Sequence, residues 1–213
     1  ALVRRTQREE EMKQDDKDWM LTSKLHKVHP LAFTPDDVDL DDIATSLSKQ
    51  CRYNGHLNGF YSVAEHSDIM RRALKRDGYP LIIQKLGLLH DASETWTGDI
   101  IRPLKNALRS QGFDIKPYEL RIEEAMSTHF GLPWPWPDLI HEYDKRIVRD
   151  EKDQLKPDET DDWSSFDIPK VGLGIKIEGW EWREARDRWL EAFQDLELAL
   201  STERYVEDIE VPF

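Results

Sequence analysis

The sequence predicts an all-α fold: one mainly helical bundle with, at most, one short strand or hairpin. Apolar residues recur at steps of three and four through most of the chain, which is the period of an amphipathic helix. Residues that favour helix starts precede these stretches, and Gly and Pro separate them. With 213 residues, among them 8 Trp, 7 Phe and 6 Tyr, the chain is long enough to bury the core of one ordinary domain.

The two ends of the chain differ from its middle. Residues 1–18 are almost all charged or polar and predict an N-terminal arm, while residues 206–213 predict a C-terminal tail. Between them we expect a single domain over residues 19–205. Its first part, residues 19–39, shows no clear apolar period, which favours loops and a strand over a helix.

The first two helices are marked by their starts and ends. From Asp41 onward the apolar period predicts a helix, which the Asn- and Gly-rich loop 52–59 ends. Ser62 and Glu65 form a capping-box pattern, which predicts a second helix to about Arg76.

The remaining sequence predicts further helices and the connections between them. The helices are the buried central helix 81–96, with residues 97–105 as its exit, and amphipathic helices over 118–130, 138 to about 155, and 182–200. The connections are a proline-rich ordered corner at 131–137, an acidic solvated loop at 156–162, and residues 174–180, which are the candidate for the short strand.

The charge balance argues against polymeric anionic partners. Thirty Lys and Arg against 43 Asp and Glu leave a formal net charge of −13, which repels nucleic acid and anionic membrane surfaces, although a local cluster of cations can hold a small anion. The single cysteine, Cys51, cannot form an internal disulfide, and no stretch approaches the roughly 18 apolar residues of a membrane span. We therefore expect a cytoplasmic protein that binds neither a nucleic-acid polymer nor a membrane.

Several ionisable residues occupy helix faces that are otherwise apolar. His66 shares a face with apolar residues three, four and seven positions later, and His90, Asp91 and Glu94 line adjoining strips of the central helix. Asp144 shares a face with the apolar residues of a later helix. An inward carboxylate costs several kcal/mol unless it is paired or bound to a metal.

Each of these residues alone has an ordinary explanation, such as a hydrogen-bonded core histidine or an ion-paired carboxylate. Two His and two Asp from three helices, with a further Glu one turn away, are together the ligand set of a divalent metal site in a helical core. Neutral imidazoles and carboxylates suit Zn, Co, Mn or Fe, and a mixed site of this kind leaves positions for water.

The order His66, His90-Asp91, Asp144 resembles the H…HD…D signature of the HD-domain phosphohydrolases. The surrounding text is more specific: it resembles bacterial 5′-deoxynucleotidases and, more closely, phage-type HD phosphohydrolases, among them the dATP triphosphohydrolases of phages that replace adenine by 2-aminoadenine. The resemblance covers about residues 19–200 and includes WMLT (19–22), VDLDDIATSLS (38–48), CRYNGHLNGFYSVAEHS (51–67), LLHDASETWTGDIIRPLK (88–105) and YDKRIVRDE (143–151).

The resemblance implies one divalent metal ion held by His66, His90, Asp91 and Asp144, with Mg²⁺ a further candidate on the phosphates of the substrate. It implies that Glu94, in HDASE, is the acid–base residue. A metal ion lowers the pKa of bound water towards about 7 and polarises a phosphoryl oxygen, so a carboxyl group beside it can orient that water or pass a proton to the leaving oxygen.

The resemblance also implies substrate contacts, several of which have alternatives. It assigns Asp99 to the sugar, and Arg52 and Lys105 to the phosphates. Arg102 is an alternative to Lys105, and either can be an ordinary surface cation. Two further contacts are less specific: Trp19 is either a core aromatic or a platform that stacks on a base, and His56 contacts phosphate or orders its loop.

These expectations lead to a metal-dependent hydrolase of deoxyribonucleotides. The favoured reaction, by resemblance, is hydrolysis of dATP to deoxyadenosine and triphosphate, which depletes the dATP pool, in a host cytoplasm if the chain is phage-encoded. The alternative on the same site is a 5′-deoxynucleotidase that removes phosphate from monophosphates. The third alternative is not an enzyme: a non-catalytic nucleotide-binding module. We also expect a homo-oligomer.

Overall fold

The computed structural model of the chain describes residues 17–155 and 168–209. The predicted acidic loop 156–162 therefore lies outside the described residues, as do nearly all of the predicted N-terminal arm and residues 210–213 of the predicted tail. Within the described ranges, the structure contains no helix with the length and hydrophobicity needed to cross a bilayer.

The predicted all-α fold is confirmed. In chain order the described helices are α1 (Leu40–Lys49), α2 (Val63–Arg76), α3 (Leu81–Leu89), α4 (Glu94–Thr97), α5 (Arg102–Ser110), α6 (Lys116–Phe130), α7 (Asp138–Leu155) and α8 (Trp182–Ile209). Two antiparallel two-residue strands, β1 (Met20–Leu21) and β2 (Lys27–Val28), precede them. Short 3-10 turns occupy Pro30–Ala32, Pro35–Asp37 and Arg52–Gly55.

The core lies where α2, α3 and α8 meet, and α1 packs against both α8 and α2. Trp189 of α8 is fully buried, and its indole N–H donates to the carbonyl of Leu88 on α3 over 3.3 Å. Gly87 allows α3 to approach α2 closely, because a Cβ atom there would lie 2.3 Å from a methyl carbon of Leu74. This close packing sets the end of α3, which carries two of the predicted metal ligands, against α2, which carries a third.

The capping box predicted at the start of α2 forms only in part. The hydroxyl of Ser62 accepts from the backbone N–H of Glu65 at 3.1 Å, as predicted. The Glu65 carboxylate does not reach back to Ser62; it accepts the backbone N–H groups of residues 178, 179 and 180 at 2.8, 3.0 and 2.8 Å. Residues 174–180, all of them described, are irregular and do not form the predicted strand.

The structure places some helix boundaries differently from the sequence pattern. The predicted central helix 81–96 is interrupted after Leu89, because residues 92, 94 and 95 donate to carbonyls three positions back in a tight turn. The predicted exit 97–105 leads instead into α5, where Pro103 stands in the first turn, a position that tolerates proline. The last helix continues to Ile209, so the predicted domain boundary at 205 falls inside it.

Candidate metal centre and adjoining cavity

Three separate elements supply the four predicted metal ligands. His66 lies in the first turns of α2, His90 and Asp91 lie in the tight turn after α3, and Asp144 lies in the second turn of α7. The interruption of the central helix places His90 and Asp91 side by side at its end, where both side chains approach the same point. All four residues present ligand atoms within 4.8 Å of one another.

The distances between the ligand atoms match a coordination shell. The Nε2 atoms of His66 and His90 are 3.1 Å apart, and Oδ2 of Asp91 lies 3.4 and 3.1 Å from them, respectively. Oδ1 of Asp144 lies 3.4 Å from Nε2 of His66 and 3.7 Å from that of His90. Ligand atoms that share an ion at about 2.1 Å are themselves roughly 3.0–3.4 Å apart, so the four residues fit one divalent ion.

Both histidines have their second ring nitrogen fixed. Nδ1 of His66 lies 2.8 Å from the Glu151 carboxylate, and Nδ1 of His90 lies 2.9 Å from the carbonyl of Gly87. Both partners can only accept, so each Nδ1 carries the proton and donates. The neutral tautomer then leaves a lone pair on each Nε2, directed at the centre of the ligand group.

Three of the proposed ligands, His90, Asp91 and Asp144, have shifted pKa values. Burial opposes a charge on His90, but Asp91 and Asp144 outweigh it and hold the pKa of this histidine well above its usual value. Burial likewise opposes the charges of the two aspartates, yet the histidines hold the pKa of Asp91 and of Asp144 below the usual range. A bound cation would take the place of the proton that these groups share.

Glu151 is a buried residue of this site that the sequence analysis did not single out. It is 1% exposed, and its Oε1 also lies 3.1 Å from Nε of Arg52, while its Oε2 accepts the hydroxyl of Tyr53 at 2.5 Å. Burial opposes its charge, but Arg52 and His66 outweigh it and lower the pKa of Glu151 to about 2. One signal was present in the sequence: Glu151 follows Asp144 by seven residues, on the same helix face.

Arg52 is held by a strained turn at the edge of the site. Tyr53 and Asn54 both adopt left-handed backbone angles, with φ of 56° and 53°, which non-glycine residues rarely do. Backbone strain of this kind persists where surrounding contacts enforce it, often at functional sites. Here the Tyr53 hydroxyl contact to Glu151 fastens the turn to α7.

A cavity of about 380 Å³ opens beside the ligands, within the size range of small-molecule sites. Asp91, Asp144, Glu94 and Asp99 line it. Glu94 is 7% exposed, and its Oε2 has no hydrogen-bond partner among the described residues. Burial, together with Asp91 and Asp99, raises the pKa of Glu94 well above its usual value. Burial also raises the pKa of Asp99.

The predicted phosphate-binding residues also line the cavity, but two of them already have acidic partners. Nη1 of Arg52 lies 3.2 Å from Oδ2 of Asp91, and Nζ of Lys105 lies 2.7 Å from Oε1 of Glu119. Arg102, the alternative to Lys105, is exposed and lines the same cavity, as does His56. The structure therefore brings together all the cations that the sequence analysis named.

Trp19 is the one predicted site residue that neither belongs to the ligand group nor lines the cavity. Its ring is 41% exposed, so it is not a core aromatic, and it lies 4.9 Å from Nζ of Lys27. The hairpin that follows it is anchored elsewhere: Ser23 and the backbone N–H of Lys24 donate to Asp42 at the start of α1, at 2.6 and 2.9 Å. This anchor sets the position of the hairpin.

Comparison with known proteins adds relatives but no activity. The chain is 38% identical over 98 residues to the uncharacterized protein YfdR of Escherichia coli, which covers 46% of this chain and 50% of YfdR. It is 38% identical over 121 residues to the uncharacterized protein RCAP_rcc00048 of Rhodobacter capsulatus, which covers 54% of this chain and 58% of that protein. The chain thus spans about half the length of the curated relatives it matches. No family model matches the chain.

Proposed function

We propose that this chain is a metal-dependent phosphohydrolase of deoxyribonucleotides, and that its reaction is the hydrolysis of dATP to deoxyadenosine and triphosphate. The observation that carries the proposal is the convergence of His66, His90, Asp91 and Asp144 on one point beside a cavity. That cavity is lined by the buried Glu94, whose Oε2 has no hydrogen-bond partner among the described residues. The choice of dATP rests on the resemblance to the phage-type HD phosphohydrolases.

The ligand set is suited to one divalent ion with open coordination positions. Two imidazole nitrogens and two carboxylate oxygens are typical of Zn, Co, Mn or Fe sites. When bound, such an ion would polarise a phosphoryl oxygen and acidify water. His66 and His90 would bind the ion through Nε2, since their Nδ1 atoms already donate to Glu151 and to the carbonyl of Gly87.

Glu94 is the residue best placed to move a proton. Burial and the neighbouring Asp91 and Asp99 raise its pKa, which favours the protonated carboxyl group that can donate a proton. In the proposed reaction the oxygen of water forms a bond to the α-phosphorus and the bond from that phosphorus to the 5′ oxygen breaks. Glu94 would donate its proton to the departing 5′ oxygen, and the proton of the attacking water would restore it.

The cavity also has the groups needed to hold a nucleotide. Arg102 and Lys105 would contact phosphate oxygens, and Asp99 would accept a hydrogen bond from a sugar hydroxyl. Apolar side chains also line the cavity, among them Ile101 and Val148, and they would give a base a surface to pack against. The lining thus combines cations for phosphate with apolar side chains for a base.

The charge balance of the cavity supports a second candidate, the 5′-deoxynucleotidase. Arg52 and Lys105 are each paired with carboxylates, which reduces the positive charge offered to a substrate. A monophosphate carries less negative charge than a triphosphate and needs fewer cations. Both candidates use the same metal ligands and Glu94, and they differ in the product released.

The test is a panel of dNTPs and dNMPs with Mn²⁺, Co²⁺, Zn²⁺ or Fe²⁺, in which phosphate, pyrophosphate and triphosphate are distinguished. We expect deoxyadenosine and triphosphate from dATP. Asp91→Asn should remove metal and activity, whereas the exposed control Asp195→Asn should retain both. Orthophosphate released from dNMPs alone would establish the second candidate. Absence of hydrolysis with every metal would favour a non-catalytic nucleotide-binding module.

A further inference from the structure

A second layer of contacts surrounds the proposed metal ligands and centres on Glu151 of α7. This carboxylate is 1% exposed, and His66, Arg52 and Tyr53 surround it. A buried carboxylate is retained only where partners compensate for its lost hydration. The compensation here comes from one proposed ligand and from two residues of the strained turn Arg52–Gly55.

We propose that Glu151 is a positioning residue that prepares two of the four ligands for the metal ion. The inference rests on the metal site of the proposed function. Its first part concerns His66: Nδ1 donates to Oε1 of Glu151 at 2.8 Å, which fixes both the ring orientation and the tautomer that leaves Nε2 free. The imidazole of a metal-binding histidine is a better ligand when a carboxylate accepts its other N–H.

The second part concerns Asp91, which Glu151 reaches through Arg52. Nε of Arg52 lies 3.1 Å from Oε1 of Glu151, and Nη1 of the same guanidinium lies 3.2 Å from Oδ2 of Asp91. The guanidinium is planar and rigid, so Glu151 orients the edge that meets Asp91. The main role of Arg52 in this arrangement is therefore to orient Asp91. Because its guanidinium is already paired with Asp91 and Glu151, it has less positive charge to offer a phosphate.

Tyr53 contacts the second oxygen of the Glu151 carboxylate. Its hydroxyl donates to Oε2 of Glu151 at 2.5 Å, so the two carboxylate oxygens face different partners and the carboxylate cannot rotate freely. Tyr53 has a left-handed backbone, with φ of 56°, and it follows Arg52, which contacts Asp91. The strained turn thus supplies one contact to Glu151 through Tyr53 and one to a proposed ligand through Arg52.

The test measures binding of Co²⁺ alone to metal-free wild type and to Glu151→Gln. The carboxamide is almost the same shape but neutral, so it cannot balance Arg52 or polarise His66. We expect the dissociation constant to rise by about 10- to 100-fold, with one site per chain, and the visible Co²⁺ absorption to change. The matched control is Glu142→Gln on the exposed side of the same helix, which should match wild type.

Tyr53→Phe provides a second variant in case Glu151→Gln does not fold. It removes only the hydroxyl that donates to Oε2, and we expect a smaller rise in the same dissociation constant. An unchanged Co²⁺ dissociation constant and spectrum in folded Glu151→Gln would overturn the inference. If that variant is unfolded, an unchanged constant in Tyr53→Phe would overturn it.

Nucleotide hydrolysis, measured separately, distinguishes this inference from the proposed function. Weaker Co²⁺ binding by Glu151→Gln, in a protein that hydrolyses none of the nucleotides, would support the positioning role and contradict the proposed function. If wild type hydrolyses nucleotides and Glu151→Gln binds Co²⁺ as tightly as wild type, the proposed function is supported and the positioning role is contradicted. Failure of wild type to bind Co²⁺ would contradict both.

Discussion

Most of the buried charges in this protein are found next to a partner of opposite charge or a fixed donor, and Glu94 differs from them. The carboxylates of Asp91 and Asp144 face histidines, and that of Glu151 faces an arginine and a histidine. Oε2 of Glu94 has no hydrogen-bond partner in the described part of the chain, although it is buried. An unpaired buried carboxyl is costly, which favours a role that uses its proton.

Replacing Glu94 by Gln should therefore affect the chemical step and not binding. The two side chains have almost the same shape, so we expect the variant to retain its metal and its KM. Loss of the proton donor should lower kcat by about 10²- to 10⁴-fold. Steady-state kinetics with metal analysis measures both, with the exposed Glu124→Gln as control. An unchanged kcat would remove Glu94 from the mechanism.

The coupled ligands also predict how pH acts on the metal-free protein. The pKa of His90 is raised in the fold, so its contribution to the free energy of unfolding is complete below about pH 6.5 and is lost as pH rises through the raised value. The pKa values of Asp91 and Asp144 are lowered, so their contribution is present above about pH 3.9 and is lost as pH falls through the lowered values. Denaturant unfolding in EDTA, from pH 2 to 9, should show the onset of this loss at both ends of the range.

Metal affinity should increase with pH in the range where the stability of the metal-free protein decreases. Because an ion must displace the proton on His90, its affinity should increase as pH rises towards the raised pKa of this residue. Calorimetry in two buffers with different ionisation enthalpies should detect a released proton. Equal Co²⁺ affinity at pH 6 and pH 8, without proton release, would contradict the arrangement of charges around His90.

At the scale of the elements, a single side chain fastens an irregular segment to the helix that carries a ligand. Glu65 of α2 is fully buried and accepts the N–H groups of residues 178–180, just before α8 begins. Its neighbour in sequence is His66. The start of α2 is therefore held by a second contact besides that of His66 with Glu151, and it joins residues more than a hundred positions apart.

Glu65→Ala should destabilise the protein markedly. It leaves three backbone donors without their acceptor, and each orphaned buried donor costs about 1–3 kcal/mol, less where water can enter. We expect the free energy of unfolding to fall by roughly 3–5 kcal/mol, as measured by urea denaturation. The exposed Glu191→Ala on α8 is the control and should change it little. A loss equal to that of the control would show that the carboxylate does not hold this segment.

For the whole molecule, the metal should contribute to stability as well as to chemistry. Three elements, α2, the turn after α3, and α7, each supply at least one ligand, so an ion would add a link between them. At a free concentration 100 times its dissociation constant, a ligand adds about 2.7 kcal/mol, which is roughly 5–11 °C in Tm for a chain of this size. Calorimetric scans with Co²⁺ and with EDTA measure this shift, which Asp144→Asn should abolish. Equal Tm values would exclude a tight site.

The position of Trp19 makes a further prediction about the whole chain. Since the ring does not line the cavity, Trp19→Ala should leave the KM for dATP unchanged. The base-stacking role suggested by resemblance predicts the contrary, a raised KM. Measurement of KM for dATP, dGTP and 2-amino-dATP in wild type and variant decides between them, and equal hydrolysis of all three by wild type would contradict dATP selectivity.

The helical class, most of the helices and the four residues that could hold a metal can be predicted from local sequence. Periodicity is a local property, and the inward faces of α2 and α7 could be identified from a few neighbouring residues. For the same reason His66 and Asp144 stood out as polar residues on apolar faces. Asp91 lies in a turn and not in a helix, but it can still be identified because His90 and Glu94 are close to it in the sequence.

The contacts between these residues follow from packing between distant segments and cannot be read from local sequence. The pairing of Glu151 with His66 joins positions 85 residues apart, and that of Glu65 with Trp180 joins positions 115 apart. The break in the central helix after Leu89, the pairing of Lys105 with Glu119 and the placement of Trp19 away from the cavity likewise depend on packing between elements. No local period encodes such contacts, because their free energy arises only when distant segments share one buried, low-dielectric environment.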